Sequence, residues 1–251
     1  MSVLPGGLRG LPGGVTVLDD AQAMAAAAGD WVLEAAADPA NPAGRFRIAL
    51  AGGSTPRRLY QLLAASPHRE RAGWSHWEVF FGDERAVPPV DPSSNYRMAR
   101  EALLDHVPIP EALIHRMEAE RADLDAAAAD YSSSLADDCP PFGTEGVPRL
   151  DLVLLGLGEN GHTASLFPGD PVLEVNDRWA APARADYAPF GRLTLTFPVL
   201  NAAARVAFLV AGAGKAEALR GVIAGSVPAA RVRPVQGELR WFLDAEAARG
   251  M

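Results

Sequence analysis

Residues 150–169 read Leu-Asp-Leu-Val-Leu-Leu-Gly-Leu-Gly-Glu-Asn-Gly-His-Thr-Ala-Ser-Leu-Phe-Pro-Gly. They place a titratable ring, His162, directly behind Gly156, Gly158 and Gly161. Leu152 to Leu155 run without polar interruption, as in a parallel strand covered on both faces. Three glycines within six residues then imply positive φ angles or backbone held close to a ligand. A histidine at the carboxyl end of a central strand lies where open α/β sheets bind their ligands. Packing alone requires neither the glycines nor the ring. Thr163 to Ser165 are expected to begin a helical turn that Pro168 and Gly169 close.

A second turn of the same kind is Gly52-Gly53-Ser54-Thr55-Pro56, which follows the strand candidate Arg45 to Ala51. Ser54 or Thr55 can cap the helix Arg57 to Ala65, with Pro56 at its first position. Unpaired amides and hydroxyls then point out of the strand end together, a place that suits a phosphate. Such helix ends attract anions with about 0.3–1 kcal/mol at exposed sites. No Gly-Lys-Ser/Thr follows, so this is not a Walker A loop. A third strand, Trp77 to Phe81, ends in Gly82-Asp83-Glu84-Arg85. That cluster is either a solvated turn or two carboxylates and a guanidinium facing the same crevice. Ala211-Gly212-Ala213-Gly214-Lys215 is too short for a dinucleotide fingerprint.

The elements that must position these residues alternate strand and helix along the chain, which predicts an α/β fold: a mostly parallel sheet with helices on both faces. Val15 to Leu18 is a strand, and Asp19 or Asp20 caps an Ala-rich helix to about Ala37, broken by Asp38-Pro39 and Asn41-Pro42. A helix from about Arg97 to Leu104, a strand Leu113 to Met117, a helix 120–138 and a loop Cys139 to Arg149 lead to the central strand. Trp179 to Ala183, Arg192 to Phe197, Arg205 to Val210 and Leu239 to Leu243 are further strands. Pro198-Val199-Leu200-Asn201 turns into a short helix, another helix spans Ala216 to Ala224, and Asp244 caps a terminal one. The 251 residues fit one domain, 15–251, behind a flexible tail, 1–14, that holds five glycines and two prolines.

Net charge is −8 without a basic stripe, which argues against nucleic acid or an anionic membrane surface as a partner. An anionic ligand must then be held by a local site. Cys139 is the single cysteine, so the chain builds neither a disulfide framework nor a cysteine-based metal site. No apolar run is long enough for a signal segment or a membrane span, and a soluble, cytoplasmic protein is expected. A monomer or weak homodimer is expected.

Taken together, Ala51 to Pro56, Gly82 to Arg85 with Ser94-Asn95-Tyr96, Gly156 to Gly169, and Arg192-Leu193-Thr194-Leu195-Thr196 resemble the 6-phosphogluconolactonases, in the right order over nearly the whole chain. The resemblance implies a modified Rossmann-like fold, no metal or other cofactor, and hydrolysis of a phosphorylated sugar lactone. It implies His162 as the base that activates water, with glycine-loop amides and Arg85 on the oxyanion and Asp83 as a polar neighbour. It also implies a phosphate site of Gly52, Gly53, Ser54, Thr55, Arg192 and Lys215. The related glucosamine-6-phosphate deaminases share the Gly-Gly-Ser-Thr turn and the Gly-His. They carry a glutamate where this chain has Phe167, and ring opening needs that second proton donor. Sugar-phosphate sensors of this fold usually carry a helix-turn-helix, and this sequence shows none. Lactonases commonly have aspartate before the Gly-His; here Asn160 is expected to orient the ring without charge, or only to shape the turn.

Overall fold

The computed structural model describes residues 6–38, 44–184, 187 and 189–251. In chain order the strands are β1 (Gly14–Leu18), β2 (Phe46–Leu50), β3 (Trp77–Phe81), β4 (Asp83–Arg85), β5 (Pro141–Phe142), β6 (Val147–Pro148), β7 (Leu152–Gly156), β8 (Ala180–Ala183), β9 (Arg192–Leu195), β10 (Arg205–Val210) and β11 (Glu238–Asp244). The helices are α1 (Ala21–Ala36), α2 (Ser54–Leu63), α3 (His68–Arg71), α4 (Asn95–Ala102), α5 (Leu124–Asp138), α6 (Phe197–Ala202), α7 (Ala216–Ala224) and α8 (Ala245–Ala248).

Among the described residues, six strands form one sheet in the order β1-β11-β10-β7-β2-β3, and every neighbouring pair is parallel. Successive strand residues point to opposite faces, and all of β2 and β3 are buried, so both faces are covered. From β2 the chain moves outward to β3, whereas from β7 it moves the other way, through β10 to β11. The order therefore reverses between β2 and β7. The carboxyl ends of those two strands flank the crevice in which folds of this type bind ligands.

Local chemistry sets the elements around that crevice. Asp20 caps α1 by accepting from the amides of Gln22 and Ala23, a contact worth about 1 kcal/mol. The Tyr60 hydroxyl reaches back from α2 to the end of β2, donating to Ala51 O at 2.8 Å and accepting from Ala51 N at 2.9 Å. A small antiparallel sheet, β4-β9-β8, is stitched to the large one through Gly82, whose amide donates to Leu50 O and whose carbonyl accepts from Leu195 N. No helix among the described residues is long and apolar enough to cross a membrane.

The structure departs from the sequence expectations in several places. Residues 113–117 form no strand: Ile114 makes one bridge to Val79, and His115 and Arg116 are drawn sideways to carboxylates of Glu78, Asp138, Glu118 and Glu120. The cap of α2 is Gly53 rather than Ser54 or Thr55, because its φ of +101° lets the chain enter the helix one residue sooner. No helical turn forms at Thr163. A tight turn closes there instead, with Leu166 N donating to Thr163 O and Ala164 at φ +46°. The Cys139 to Arg149 loop contains the two-stranded β5-β6 ribbon, and the cluster at 83–85 is a strand. Of the expected tail, residues 6–14 are packed: Leu8 is fully buried, and the Trp241 ring donates to Pro12 O. Residues 1–5 and the proline breaks at 39–42 lie outside the described residues.

Candidate active site

The crevice between β2 and β7 is a cleft of about 450 Å³. It is lined by Gly52, Gly53, Ser54, Thr55, Asp83, Arg85, His162, Arg192 and Lys215, so nine of the residues singled out from sequence meet there. Asn160, the tenth, stands behind the histidine.

The loop after β7 is wound to carry His162. Gly158 N donates to His162 O at 2.8 Å, and Gly161 N donates to Gly158 O at 2.9 Å. The ring lies directly on Gly158, where a Cβ would stand 2.1 Å from Nδ1. Gly161 takes φ +79°, and a Cβ there would stand 2.4 Å from Val227 Cβ, so a side chain at this position is both strained and crowded. Asn160 Oδ1 lies 2.6 Å from His162 Nδ1 and also accepts from His162 N at 3.2 Å. An amide oxygen only accepts, so Nδ1 carries the proton and Nε2 keeps its lone pair. Burial lowers the affinity of the ring for a second proton; Asp83 opposes this, and Lys215 and Arg192 add to it. The result is a neutral imidazole with a free basic nitrogen in a polar cleft.

On the other wall, α2 points its first turn into the cleft. Helix geometry leaves the amides of Ser54 and Thr55 without intrahelical acceptors. Gly52 is required because the buried Asn95 side chain occupies the space of a Cβ, with Oδ1 at 1.9 Å. Arg85 and Arg192 face each other across the β4-β9 pair. Arg192 is held by the carbonyls of Phe190 and Gly191; its burial, and then the Arg85 charge, disfavour its own charge. Lys215 donates to Leu157 O at 2.8 Å and retains two further donors. Three basic side chains and a helix end thus line one cleft of an acidic protein, an arrangement whose chemistry can hold an anion.

Asp83 and Glu84 take different parts. Glu84 lies outside the lining: its carboxylate accepts from Asn95 N, Tyr96 N, Arg85 N and Ser94 Oγ, and so tethers the start of α4. Asp83 accepts from Ser165 Oγ at 2.6 Å and from Asn95 Nδ2 at 3.1 Å. Sequence reading missed this Asp83–Ser165–Asn95 group, whose members lie up to 82 positions apart. It also missed Phe167 and Tyr187 as walls of the cleft, the Phe167 ring lying 4.9 Å from the His162 ring and 5.7 Å from that of Tyr187. Nothing local to Tyr187 marks it. Among the described residues, the group of ligand atoms close enough to hold a metal ion is Glu78, His115 and Asp138, none of which lines the cleft.

Residues 19–241 match the family model described as glucosamine-6-phosphate isomerases/6-phosphogluconolactonase. A 6-phosphogluconolactonase of Synechocystis is 46% identical over 215 residues, covering 83% of this chain and 85% of that protein. One from Nostoc is 43% identical over 238 residues, covering 93% and 96%. A solved structure of the 6-phosphogluconolactonase from Trypanosoma brucei superposes with a TM-score of 0.84 at 30% identity, covering 96% of this chain and 99% of the other.

Proposed function

The chain belongs to the family of glucosamine-6-phosphate isomerases and 6-phosphogluconolactonases, and we propose that it hydrolyses 6-phosphogluconolactone to 6-phosphogluconate, a step of the pentose phosphate pathway. The observation that carries this reading is the pairing, in one cleft, of a neutral imidazole with an anion site built from α2, Arg85, Arg192 and Lys215.

In this reading the phosphate of the substrate is held by the first-turn amides and hydroxyls of α2 with Lys215 and Arg192. That leaves the lactone ring beside His162. His162 Nε2 takes a proton from a water molecule as its oxygen attacks the lactone carbonyl. The Arg85 guanidinium stabilises the oxyanion. The amides of Gly158 and Gly161 already donate within the loop, so they are not assigned this part. The tetrahedral intermediate then breaks its ring C–O bond. The imidazolium returns the proton to the leaving ring oxygen, giving a carboxylic acid and a hydroxyl. General base catalysis supplies about 10²–10⁴-fold. Each well-placed oxyanion donor adds about 10²–10³-fold, which suits an ester that already hydrolyses in water. Ser165 is not the nucleophile in this account: it is buried, it donates to Asp83, and no Gly-x-Ser-x-Gly elbow surrounds it. Phe167, apolar and tilted against the His162 ring, gives no second proton donor for the amino-sugar chemistry of the deaminases.

The test is acid release from freshly made 6-phosphogluconolactone. The wild type accelerates it, and His162→Ala lowers kcat/KM by about 10²–10⁴-fold with the fold intact. Wild-type progress curves that overlay spontaneous hydrolysis contradict the assignment, whereas a stoichiometric acyl-enzyme trapped on Ser165 contradicts direct attack by water.

A further inference from the structure

The side chain that orients His162 is an amide, and an amide has two unlike ends. Its oxygen end holds the ring in the tautomer with Nε2 free, whereas its nitrogen end, turned to the ring, would donate to Nδ1 and stabilise the tautomer whose Nε2 is blocked by a proton. Asn160 is exposed, so packing does not fix the choice. Two contacts do. One is the His162 backbone amide, which donates to Asn160 Oδ1 at 3.2 Å. The other is shorter: Asn160 Nδ2 donates to the Tyr187 hydroxyl at 2.7 Å.

Tyr187 is itself 64% exposed at the rim of the cleft. Its ring is fixed from one side by the edge contact with Phe167, whose own ring leans on His162. The hydroxyl, the amide and the imidazole thus form a chain of hydrogen bonds, and Phe167 braces both of its ends.

We propose that Tyr187 is a positioning residue for the base: while the His162 backbone N–H selects the oxygen end of Asn160, the Tyr187 hydroxyl accepts from the nitrogen end, anchors the exposed side chain against Nδ1–H, and so keeps His162 Nε2 unprotonated and ready to accept. The chemical reason is general. A carboxylate in place of the amide would present an acceptor whichever way it turned, and would need no partner to choose its orientation. The tyrosine matters because an exposed, uncharged amide has no electrostatic attraction to keep it on the ring and relies on its hydrogen bonds to stay there.

The proposal rests on His162 being the base, and its test reads the tautomer and the rate separately. In protein with 15N-labelled histidine, the imidazole of His162 is expected to report the Nδ1–H tautomer in the wild type. Tyr187→Phe is expected to raise the share of the Nε2–H tautomer and to lower kcat roughly three- to tenfold, the loss of one hydrogen bond, with KM unchanged. In the Asn160→Asp background, where residue 160 only accepts when ionised, Tyr187→Phe is expected to leave the Nδ1–H tautomer in place. A Tyr187→Phe spectrum and kcat that overlay the wild type overturn the proposal. So does an equal tautomer shift in both backgrounds, which would assign the effect to the ring contact with Phe167. If the tautomer shifts as expected while the wild type fails to hydrolyse the lactone, the positioning stands and the proposed reaction falls.

Discussion

Two glycine-rich turns leave the sheet side by side, after β2 and after β7, and they use their backbone in opposite ways. The turn after β2 opens at Gly53 and goes straight into α2, so its amides stay pointed at the cleft. The turn after β7 folds its amides back on itself, Gly158 to His162 and Gly161 to Gly158, and presents a side chain instead. One turn leaves main-chain donors of a helix start at the cleft. The other uses its main chain to aim an imidazole. Glycine is required in both, but for different reasons: an extended positive-φ geometry at Gly53, and the volume of a neighbouring ring at Gly158.

The largest effect should come from putting a methyl group into each turn. Gly158→Ala places a Cβ 2.1 Å from Nδ1 and must displace the ring. A misplacement of about 1 Å costs on the order of 10²-fold in rate, so kcat should fall that far. Gly53→Ala meets nothing within 4 Å. It should instead cost about 1–3 kcal/mol of stability through its backbone conformation, read as a lower midpoint in denaturant. Equal kinetic losses in the two variants would erase the distinction between the turns.

The next effect separates the anion wall from the base. Lys215→Ala removes a charged donor, worth roughly tenfold or more in affinity. KM should rise by that factor for 6-phosphogluconolactone and far less for unphosphorylated gluconolactone. An equal rise for both substrates would show that the lysine does not touch phosphate.

The place of both turns is legible in the sequence, but the division between them is not: glycines alone suggest main-chain donors in each, whereas the Gly158 and Gly161 amides bond within their own loop. Glycine density, a capping-type Ser-Thr-Pro and a lone histidine are local signals, and the strands that end in them are apolar runs. What stayed hidden depends on tertiary approach. Asp83, Glu84 and Arg85 are adjacent, yet one holds Ser165, one tethers α4 and one faces Arg192; the split is decided by which strand pairs with β4. Residues 113–117 have a strand-like composition but lose the edge of β3 after one bridge. Tyr187 acts through Asn160, 27 positions away, and carries no local mark.

The smallest effect is electrostatic. Asn160 supports the ring without charge, so Asn160→Asp adds a carboxylate beside an imidazolium and favours the protonated form. The acid limb of kcat/KM should move to higher pH, because a carboxylate favours the charged ring, so that activity is lost first on the acid side. A profile that overlays the wild type would mean that residue 160 serves the turn alone.

The central claim is that His162, neutral and half-buried beside two cations, is the base. The most direct measurement titrates the His162 imidazole by NMR and compares it with the acid limb of kcat/KM for the same protein. Because burial, Lys215 and Arg192 all disfavour the charged ring, the two midpoints should coincide and lie below the ordinary histidine value of about 6.5. Rates that do not follow the protonation of His162, or a ring that titrates above that value, would contradict the account.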